Sequence, residues 1–282
     1  MIFKYTRCGD RHIHRSVPCD DSVAAVKFGK YSALVLSDGC SSSVFGGDSA
    51  RRITNRIIDK IKFPASFLGS DTDITGEDII RFCLQPDNAG ETVRLLLNEL
   101  DKEVIVMCDL YQCQRKDVCC TLIIAFIGYD PKSGNNTATV ITIGDGFVVA
   151  CSRKHKGVTL ISRGENRNNH PNMTYFCTSE NAVDHAHIYR VNAFDELMIS
   201  SDGVTHAIDI DDSDELSQLL HAASSGPGIT DADFSEKMDR LLNEYVWLYP
   251  IDRDLNDDCG VIYYTTDKRS IRRLFNKSKN HI

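Results

Sequence analysis

Apolar residues fall into short runs with the character of β-strands, separated by glycine-rich or polar links. Ser22 to Phe28 and Tyr31 to Ser37 predict two strands joined by Gly29-Lys30, a link of hairpin length. Gly144-Asp145-Gly146 predicts a second hairpin between later strands. The remaining predicted strands are Thr121 to Gly128, Ala138 to Ile143, Phe147 to Ser152, Ala186 to Val191, Glu196 to Ser200 and Gly260 to Thr265.

Other stretches repeat apolar residues at the three- and four-residue steps of a helix. Asp48 or Ser49 can cap a helix that continues through Ile61. A longer helix is predicted from Glu91 to Tyr111, and two more near Asp214 to Ala223 and Ala232 to Leu248. The apolar stripe predicted for the last helix is Phe234, Met238, Leu241, Tyr245 and Leu248.

The order of these elements lacks the regular strand–helix–strand alternation of a parallel sheet. It predicts an α+β fold, an α-β-β-α four-layer sandwich with two antiparallel central sheets. No domain boundary is evident, so we expect a single domain over residues 1–267, followed by a basic C-terminal tail at 268–282. The Asn-rich stretch from Ser162 to His185 has little periodicity and predicts a long functional flap or a disordered loop.

Composition narrows the partners and the compartment. The 282 residues are 42% hydrophobic with a formal net charge of -8, which argues against nucleic acid as the main partner. No stretch of about 18 uncharged apolar residues predicts a membrane span, and the first residues lack a leader pattern. We therefore expect a soluble, cytoplasmic protein without a membrane partner, and a monomer.

Eleven cysteines also fit a reducing compartment, because several lie inside apolar runs where a thiol behaves as a small hydrophobe. A zinc site is one interpretation of four cysteines that are close in sequence, namely Cys108, Cys113, Cys119 and Cys120. Their spacing matches none of the usual paired Cys-x2-Cys ligand motifs, which disfavours zinc.

One short phrase occurs twice. Leu34 to Gly39 and Leu197 to Gly203 each run from apolar residues into Ser-Asp-Gly or Ser-Ser-Asp-Gly. A single copy would most simply close a turn. If the fold brings both strand ends together, Asp38 and Asp202 share a poorly solvated site and need a raised pKa or a cation.

Acidic residues flank predicted strands at five places, namely Asp20-Asp21, Asp38, Asp145, Asp202 and Asp257-Asp258. Oxygen ligands without a cluster of His or Cys favour Mg2+ or Mn2+ over zinc. Two such ions a few ångströms apart can hold a shared hydroxide and clamp a phosphoryl group. The pattern therefore predicts hydrolysis of a phosphate ester.

The same residues carry a resemblance to a known family. Asp38-Gly39, Gly144-Asp145, Ser201-Asp202-Gly203 and Asp257-Asp258-x-Gly-Val-Ile occur in the order of the motifs of the metal-dependent protein phosphatases of type 2C. The sequence resembles a bacterial and phage-type branch more closely over about Gly9 to Tyr264. The stretches that resemble that branch are Gly9 to Ile13, Val17 to Asp21, Asp38 to Ser43, Asp117 to Leu122 and Asn172 to Phe176.

The resemblance implies a serine/threonine protein phosphatase that uses two Mn2+ or Mg2+ ions and acts on phosphorylated proteins, with a cognate kinase. By position, Asp38 would bridge both ions, and Asp202 and Asp257 would complete the first. The Gly39 carbonyl would help hold the second, and Asp145 with Asp202 a third, weaker ion. Asp21 would act through water or behind the direct ligands, and Asp20 stands where many relatives place Glu or Gln.

Two departures from the family pattern concern proton donation and phosphate binding. Cys40 and three serines follow Asp38-Gly39, where some relatives have a His that acts as general acid. Protonation of the leaving group would then fall to a metal-bound water or to a His elsewhere. No arginine is in register with the family's phosphate-binding arginine, so His12 and Arg15 rank about equally as candidates for that role, with Arg11 nearby, and stand with Asp38 as the catalytic candidates.

Two other functions stay open from the sequence. A non-catalytic pseudophosphatase could bind a phosphorylated partner protein through the flap around Asn166 to Asn172. A hydrolase of a small phosphorylated metabolite is the other alternative, although a long polar flap suits a protein substrate better.

Overall fold

The fold is built on two five-stranded sheets that pack face to face. The computed structural model describes residues 1–64, 74–130, 133–152, 157–164, 174–224 and 229–266. The strands in these ranges are β1 (Ile2–Arg7), β2 (Ser22–Phe28), β3 (Tyr31–Ser37), β4 (Leu122–Asp130), β5 (Asn135–Ile143), β6 (Phe147–Ser152), β7 (Gly157–Ser162), β8 (His187–Phe194), β9 (Glu196–Ser200) and β10 (Cys259–Thr265). The α-helices are α1 (Asp10–Arg15), α2 (Gly46–Lys62), α3 (Gly76–Cys83), α4 (Ala89–Tyr111), α5 (Ser213–Ser224) and α6 (Asp231–Leu248).

Both sheets are antiparallel throughout. The β1 sheet has the order β1-β10-β9-β6-β7, and the β2 sheet has the order β2-β3-β4-β5-β8. Apolar residues of the two sheets, such as Leu34 and Ile123 from one and Leu197 and Ile262 from the other, form a common buried cluster. The sheets therefore bury their facing surfaces against each other.

Helices cover the outer face of each sheet. Ile53 of α2, Ile80 of α3 and Leu100 of α4 pack with Val35 and Ile124 of the β2 sheet. On the opposite side, helices α5 and α6 pack on the β1 sheet through residues that include Leu219, Phe234 and Met238. This arrangement confirms the predicted α-β-β-α four-layer sandwich.

The continuous apolar sequence of β3 is explained by its position between two buried layers. Ala33 and Val35 face the helices, whereas Leu34 and Leu36 face the β1 sheet. Since both faces of the strand are buried, there is no polar side to produce an alternating pattern. The predicted bounds of β2, β3, β6 and β9 agree with the structure.

The predicted second hairpin is wrong. Strand β5 pairs with β4 and β8, whereas β6 pairs with β7 and β9 in the other sheet. Gly144-Asp145-Gly146 therefore crosses from one sheet to the other, with Gly144 at a φ of +116°. Both strands are buried on both faces, so their side chains carry no signal of which sheet each one joins.

Several elements escaped the sequence pattern. Strands β1 and β7 lie at opposite edges of the β1 sheet, and α1 has no buried residue to mark an apolar face. Helix α3 is short and begins at a capping box formed by Thr75 and Asp78. In α6, Leu242 is buried in place of the expected Leu241, which is only partly buried, and Leu248 is half exposed because the helix ends there.

Three further expectations concern the flap and the tail, the cysteines, and membrane-spanning helices. The predicted flap around Asn166 to Asn172 and the basic tail at 268–282 lie outside the described residues. All eleven cysteines are free thiols, and in the described ranges no metal-sized group includes Cys108, Cys113, Cys119 or Cys120. Among the helices that the structure describes, none is long and apolar enough to cross a membrane.

Phe234 tests the packing of α6 on the β1 sheet. Its ring is fully buried and lies 5.6 Å from the ring of Phe3 and 6.1 Å from that of Tyr263, measured between centroids. We expect Phe234→Ala to lower the free energy of unfolding in urea by about 3–5 kcal/mol, because it leaves a cavity. Trp247→Ala on the same helix removes a side chain that is 78% exposed and should change it by about 0.5 kcal/mol or less. Equal losses in the two variants would contradict this packing.

Candidate metal and active site

Four carboxylates meet where the two sheets end. Asp38 follows β3, Asp202 follows β9, Asp257 precedes β10, and Asp145 lies in the crossing from β5 to β6. One side-chain oxygen from each of Asp38, Asp145 and Asp202 lies within 4.8 Å of the others. A second group within the same limit contains Asp202, Asp257 and a ring nitrogen of His206. Asp202 therefore belongs to both groups.

The glycine of each repeated phrase is required by a close approach of two chain segments. A Cβ added at Gly203 would collide with the carbonyl oxygen of Asp258, and one added at Gly39 with the backbone of Gly46. Neither residue has a positive φ, so the expected role as a sharp turn is not what selects glycine here. At Gly203, this approach brings Asp202 against the segment that carries Asp257.

The serines before these aspartates hold neighbouring groups in place. The Ser201 hydroxyl donates to Asp21 Oδ2 at 2.7 Å and accepts a hydrogen bond from the Gly260 N–H at 2.8 Å. In the first copy, the Ser37 hydroxyl donates to the carbonyl oxygen of Thr121 at 2.6 Å. The Asp38 N–H in turn donates to the Thr121 hydroxyl at 3.1 Å. These bonds fix Asp21 and the backbone of Asp38 at the site.

Burial and mutual repulsion raise the pKa of most of these carboxyls. Burial, followed by the charges of Asp21, Asp202 and Asp145, holds the pKa of Asp38 well above its usual range. Burial and then the Asp202 charge raise the pKa of Asp145 to about 7. The same two causes raise the pKa of Asp257. Each of these shifts opposes ionisation of the carboxyl concerned, and a bound cation would offset it.

The residues present fit a divalent cation. Oδ1 of Asp202 is buried and has no hydrogen-bond partner among the described residues, and the same holds for Oδ1 of Asp21. An unpartnered buried carboxylate oxygen is costly, and a cation would satisfy it. Since the cluster around Asp38 offers oxygen alone, Mg2+ and Mn2+ suit it best.

Asp258 faces away from this cluster, although it is adjacent to Asp257. Its buried carboxylate accepts the Gly9 N–H at 2.6 Å, the Asp20 N–H and a hydrogen bond from His12 Nδ1 at 2.8 Å. The ring of His12 lies between two carboxylates, with Nε2 3.7 Å from Asp20 Oδ2. Asp258 thus ties helix α1 to the strand end that carries Asp257.

The other predicted site residues lie at the periphery of this cluster. Asp20 is outside both close groups, and burial raises the pKa of its carboxyl while His12 lowers it. The Gly39 N–H donates to the Asp20 carbonyl oxygen at 3.3 Å, which ties the two predicted ligand segments together. Arg15 is exposed at the end of α1 and forms no hydrogen bond or ion pair with any described residue.

Three residues of the site were not singled out from the sequence. His206 follows Asp202 at a spacing of four, which suits one face of a helical turn and could have been noticed. Asp258 was named in the acidic pair Asp257-Asp258 but given no role, because only the family resemblance, and not the residues themselves, indicated that Asp257 is the one that faces the cluster. Arg51 donates to the Cys19 carbonyl oxygen at 3.0 Å, and its charge lowers the pKa of Asp20 against the larger effect of burial.

Comparison with protein families gives one match. The family model described as protein phosphatase 2C matches residues 8–243, which confirms the resemblance stated from the motifs. No curated protein matches the sequence.

Solved structures with the same fold include bacterial serine phosphatases. One structure described as a bacterial serine phosphatase is 12% identical and has a TM-score of 0.62. The match covers 94% of this chain and 97% of the chain in that structure. The serine/threonine phosphatase Stp1 from Staphylococcus aureus is 12% identical with a TM-score of 0.60 and covers 94% of each chain. The catalytic domain of PstP, solved with two manganese ions, is 13% identical with a TM-score of 0.53 and covers 94% of this chain and 99% of its own.

The raised carboxyl pKa values predict a stability effect in the metal-free protein. A carboxyl whose pKa is raised on folding binds more protons in the folded state, so stability increases as the pH falls. We expect the melting temperature in chelator to rise from about pH 8 to about pH 5.5. At pH 8, Asp38→Asn should melt higher than the wild type and show a weaker pH dependence.

Thermal unfolding followed by circular dichroism checks this expectation. Asp59→Asn, an exposed position on α2, is the matched control and should follow the wild type. A metal-free Asp38→Asn protein that melts below the wild type at both pH values would contradict charge repulsion at the site.

Proposed function

The chain belongs to the protein phosphatase 2C family, and from this premise we propose that it is a metal-dependent phosphatase of phosphoserine and phosphothreonine in proteins. The observation that carries the proposal is that one side-chain oxygen each of Asp38, Asp145 and Asp202 lie within 4.8 Å of one another. Oδ1 of Asp202 is buried and has no hydrogen-bond partner among the described residues. Asp257 adds a further carboxylate beside Asp202. An uncompensated cluster of this kind has a physical reason to exist if it binds cations.

Mn2+ or Mg2+ is the proposed cofactor, with two ions and a third, weaker one. When bound, a pair of divalent cations lowers the pKa of a water molecule and offsets phosphoryl charge. Asp38 is proposed as the shared ligand, because Asp21, Asp202 and Asp145 all lie close enough for their charges to raise its pKa. Asp202 and Asp257 would complete the first position.

The remaining ligands are assigned by position. The Gly39 carbonyl would contribute to the second ion, and Asp145 with Asp202 to the third. Asp21 is held by Ser201 and would act behind the direct ligands or through water. Asp20 would contribute to metal binding only at the edge of the carboxylate cluster, since its side chain lies beside His12.

His12 is the proposed proton donor to the leaving serine or threonine oxygen. Its Nδ1 bonds to Asp258, which fixes the ring orientation and leaves Nε2 as the atom that can transfer a proton. Cys40 stands where some relatives have a histidine, so the chain needs another donor. Arg15, which is exposed at the end of α1, stays the proposed phosphate-binding residue.

A phosphorylated protein is the proposed substrate, with a cognate serine/threonine kinase as the opposing activity. The eleven free thiols support a reducing compartment such as the cytoplasm. We propose that the protein acts there as a monomer.

Removal of a central carboxylate tests the metal-dependent reaction. Asp202→Asn and Asp38→Asn should each lose Mn2+-dependent hydrolysis of p-nitrophenyl phosphate and of a phosphoserine peptide. The loss of activity should exceed the roughly 100-fold that is typical when a residue that only hydrogen-bonds to a metal ligand is removed. Asp59→Asn, at an exposed position near the C-terminal end of α2, should retain wild-type turnover.

Calorimetric titration with Mn2+ separates the enzyme from its non-catalytic alternative. Wild-type protein that binds Mn2+ and a phosphopeptide but hydrolyses nothing would support a pseudophosphatase. Hydrolysis that is unaffected by Asp202→Asn would contradict the proposed site.

Substitution of His12 tests proton donation by its dependence on the leaving group. A phosphoserine ester needs its leaving oxygen protonated, whereas nitrophenolate leaves readily without a proton. We expect His12→Gln to lower kcat on the peptide by about 100-fold or more, with a much smaller loss on p-nitrophenyl phosphate. Asp258→Asn should act in the same direction, because Asp258 orients the ring.

Equal losses on both substrates would show that His12 has a structural role instead. The test is measured as the ratio of kcat on the two substrates, which a general loss of folded protein leaves unchanged.

A further inference from the structure

His206 lies beside two of the proposed metal ligands but has no role in the mechanism above. It ends the 3₁₀ helix Asp202–His206, which begins at the aspartate of the second repeated phrase. The Thr205 hydroxyl donates to the Asp202 carbonyl oxygen at 2.6 Å and fastens this turn. A ring nitrogen of His206 and one oxygen each from Asp202 and Asp257 lie within 4.8 Å of one another.

The carboxylate of Asp254 lies next to the Nδ1 side of the His206 ring. His206 Nδ1 lies 3.5 Å from Asp254 Oδ1, and the Asp254 N–H donates to the His206 carbonyl oxygen at 3.1 Å. Histidines that bind metals almost always have a carboxylate or carbonyl at the second ring nitrogen, which fixes the tautomer and the ring plane. The pairing of Nδ1 with Asp254 leaves Nε2 as the ligand atom.

Stability alone gives little reason for this arrangement. The side chains of His206 and Asp254 are 43% and 46% exposed, and ion pairs at such exposure contribute little to folding. Oδ1 of Asp202 is buried and lacks a hydrogen-bond partner in the described part of the chain, so a carboxylate of this group has an oxygen that a ligand would satisfy. The exposed ring of His206 is also accessible to an ion from solvent.

We propose that His206 is a nitrogen ligand of the cation held by Asp202 and Asp257, and that it determines which metal occupies this position. Carboxylate and water ligands suit Mg2+, whereas an imidazole ligand favours transition metals such as Zn2+. The position with His206 therefore discriminates against Mg2+, while the cluster around Asp38 offers oxygen alone. This inference rests on the metal binding in the proposed function but concerns a residue that the family motifs do not assign.

Pulsed electron paramagnetic resonance of the full-length protein loaded with Mn2+ tests the ligand directly. The wild type should show a 14N coupling from a directly bound imidazole. His206→Asn should lose that coupling, while His12→Asn should keep it, because His12 lies in a separate metal-sized group with Cys8 and Asp258. Calorimetric competition should show the affinity for Zn2+ relative to Mg2+ falling by about tenfold or more in His206→Asn.

The outcomes separate this inference from the proposed function. Wild-type protein that binds Mn2+ without any 14N coupling overturns the role of His206 and leaves the phosphatase proposal intact. A coupling that persists in His206→Asn, or an unchanged ratio of Zn2+ to Mg2+ affinity, also overturns it. Wild-type protein that binds no Mn2+ overturns both proposals.

Discussion

Repulsion among buried carboxylates is the constraint on which the rest of this site depends. Asp38, Asp145 and Asp202 lie within a few ångströms where the two sheets end, and Asp21 lies behind them. Left without positive charge, such a group either takes up protons or opposes folding. The surrounding structure holds the group together nonetheless. Gly203 admits the Asp257-Asp258 segment next to Asp202, and Ser201 fastens Asp21, so the fold accepts a local cost that a bound cation would remove.

The adjacent residues Asp257 and Asp258 have different structural roles. Asp257 contributes to the carboxylate cluster, whereas Asp258 is buried and receives hydrogen bonds from Gly9, His12 and Asp20. One strand end thus positions both a proposed metal ligand and the proposed proton donor. Because adjacent residues are joined by a planar peptide, both are positioned by the start of β10, the strand between β1 and β9. A substitution in this pair would affect two parts of the site for different reasons.

The sequence predicted the layers of the fold and the acidic residues of the site better than the connections between them. Strands β2 and β3 were predicted with their observed bounds, because apolar runs bounded by Gly29-Lys30 and Asp38-Gly39 leave little freedom. The crossing at Gly144-Asp145-Gly146 could not be distinguished from a hairpin, since strands buried on both faces look alike in either sheet. The pairing of His206 with Asp254, and the burial of Asp258 rather than Asp257, depend on chain segments that meet only in the folded structure.

Diffraction from crystals grown with Mn2+, collected at the manganese absorption edge, tests the central claim most directly. Anomalous peaks are expected in contact with the carboxylates of Asp38, Asp202 and Asp257, with a weaker peak beside Asp145. A well-ordered structure with no anomalous peak among these side chains at saturating Mn2+ would contradict the claim that the cluster exists to hold cations.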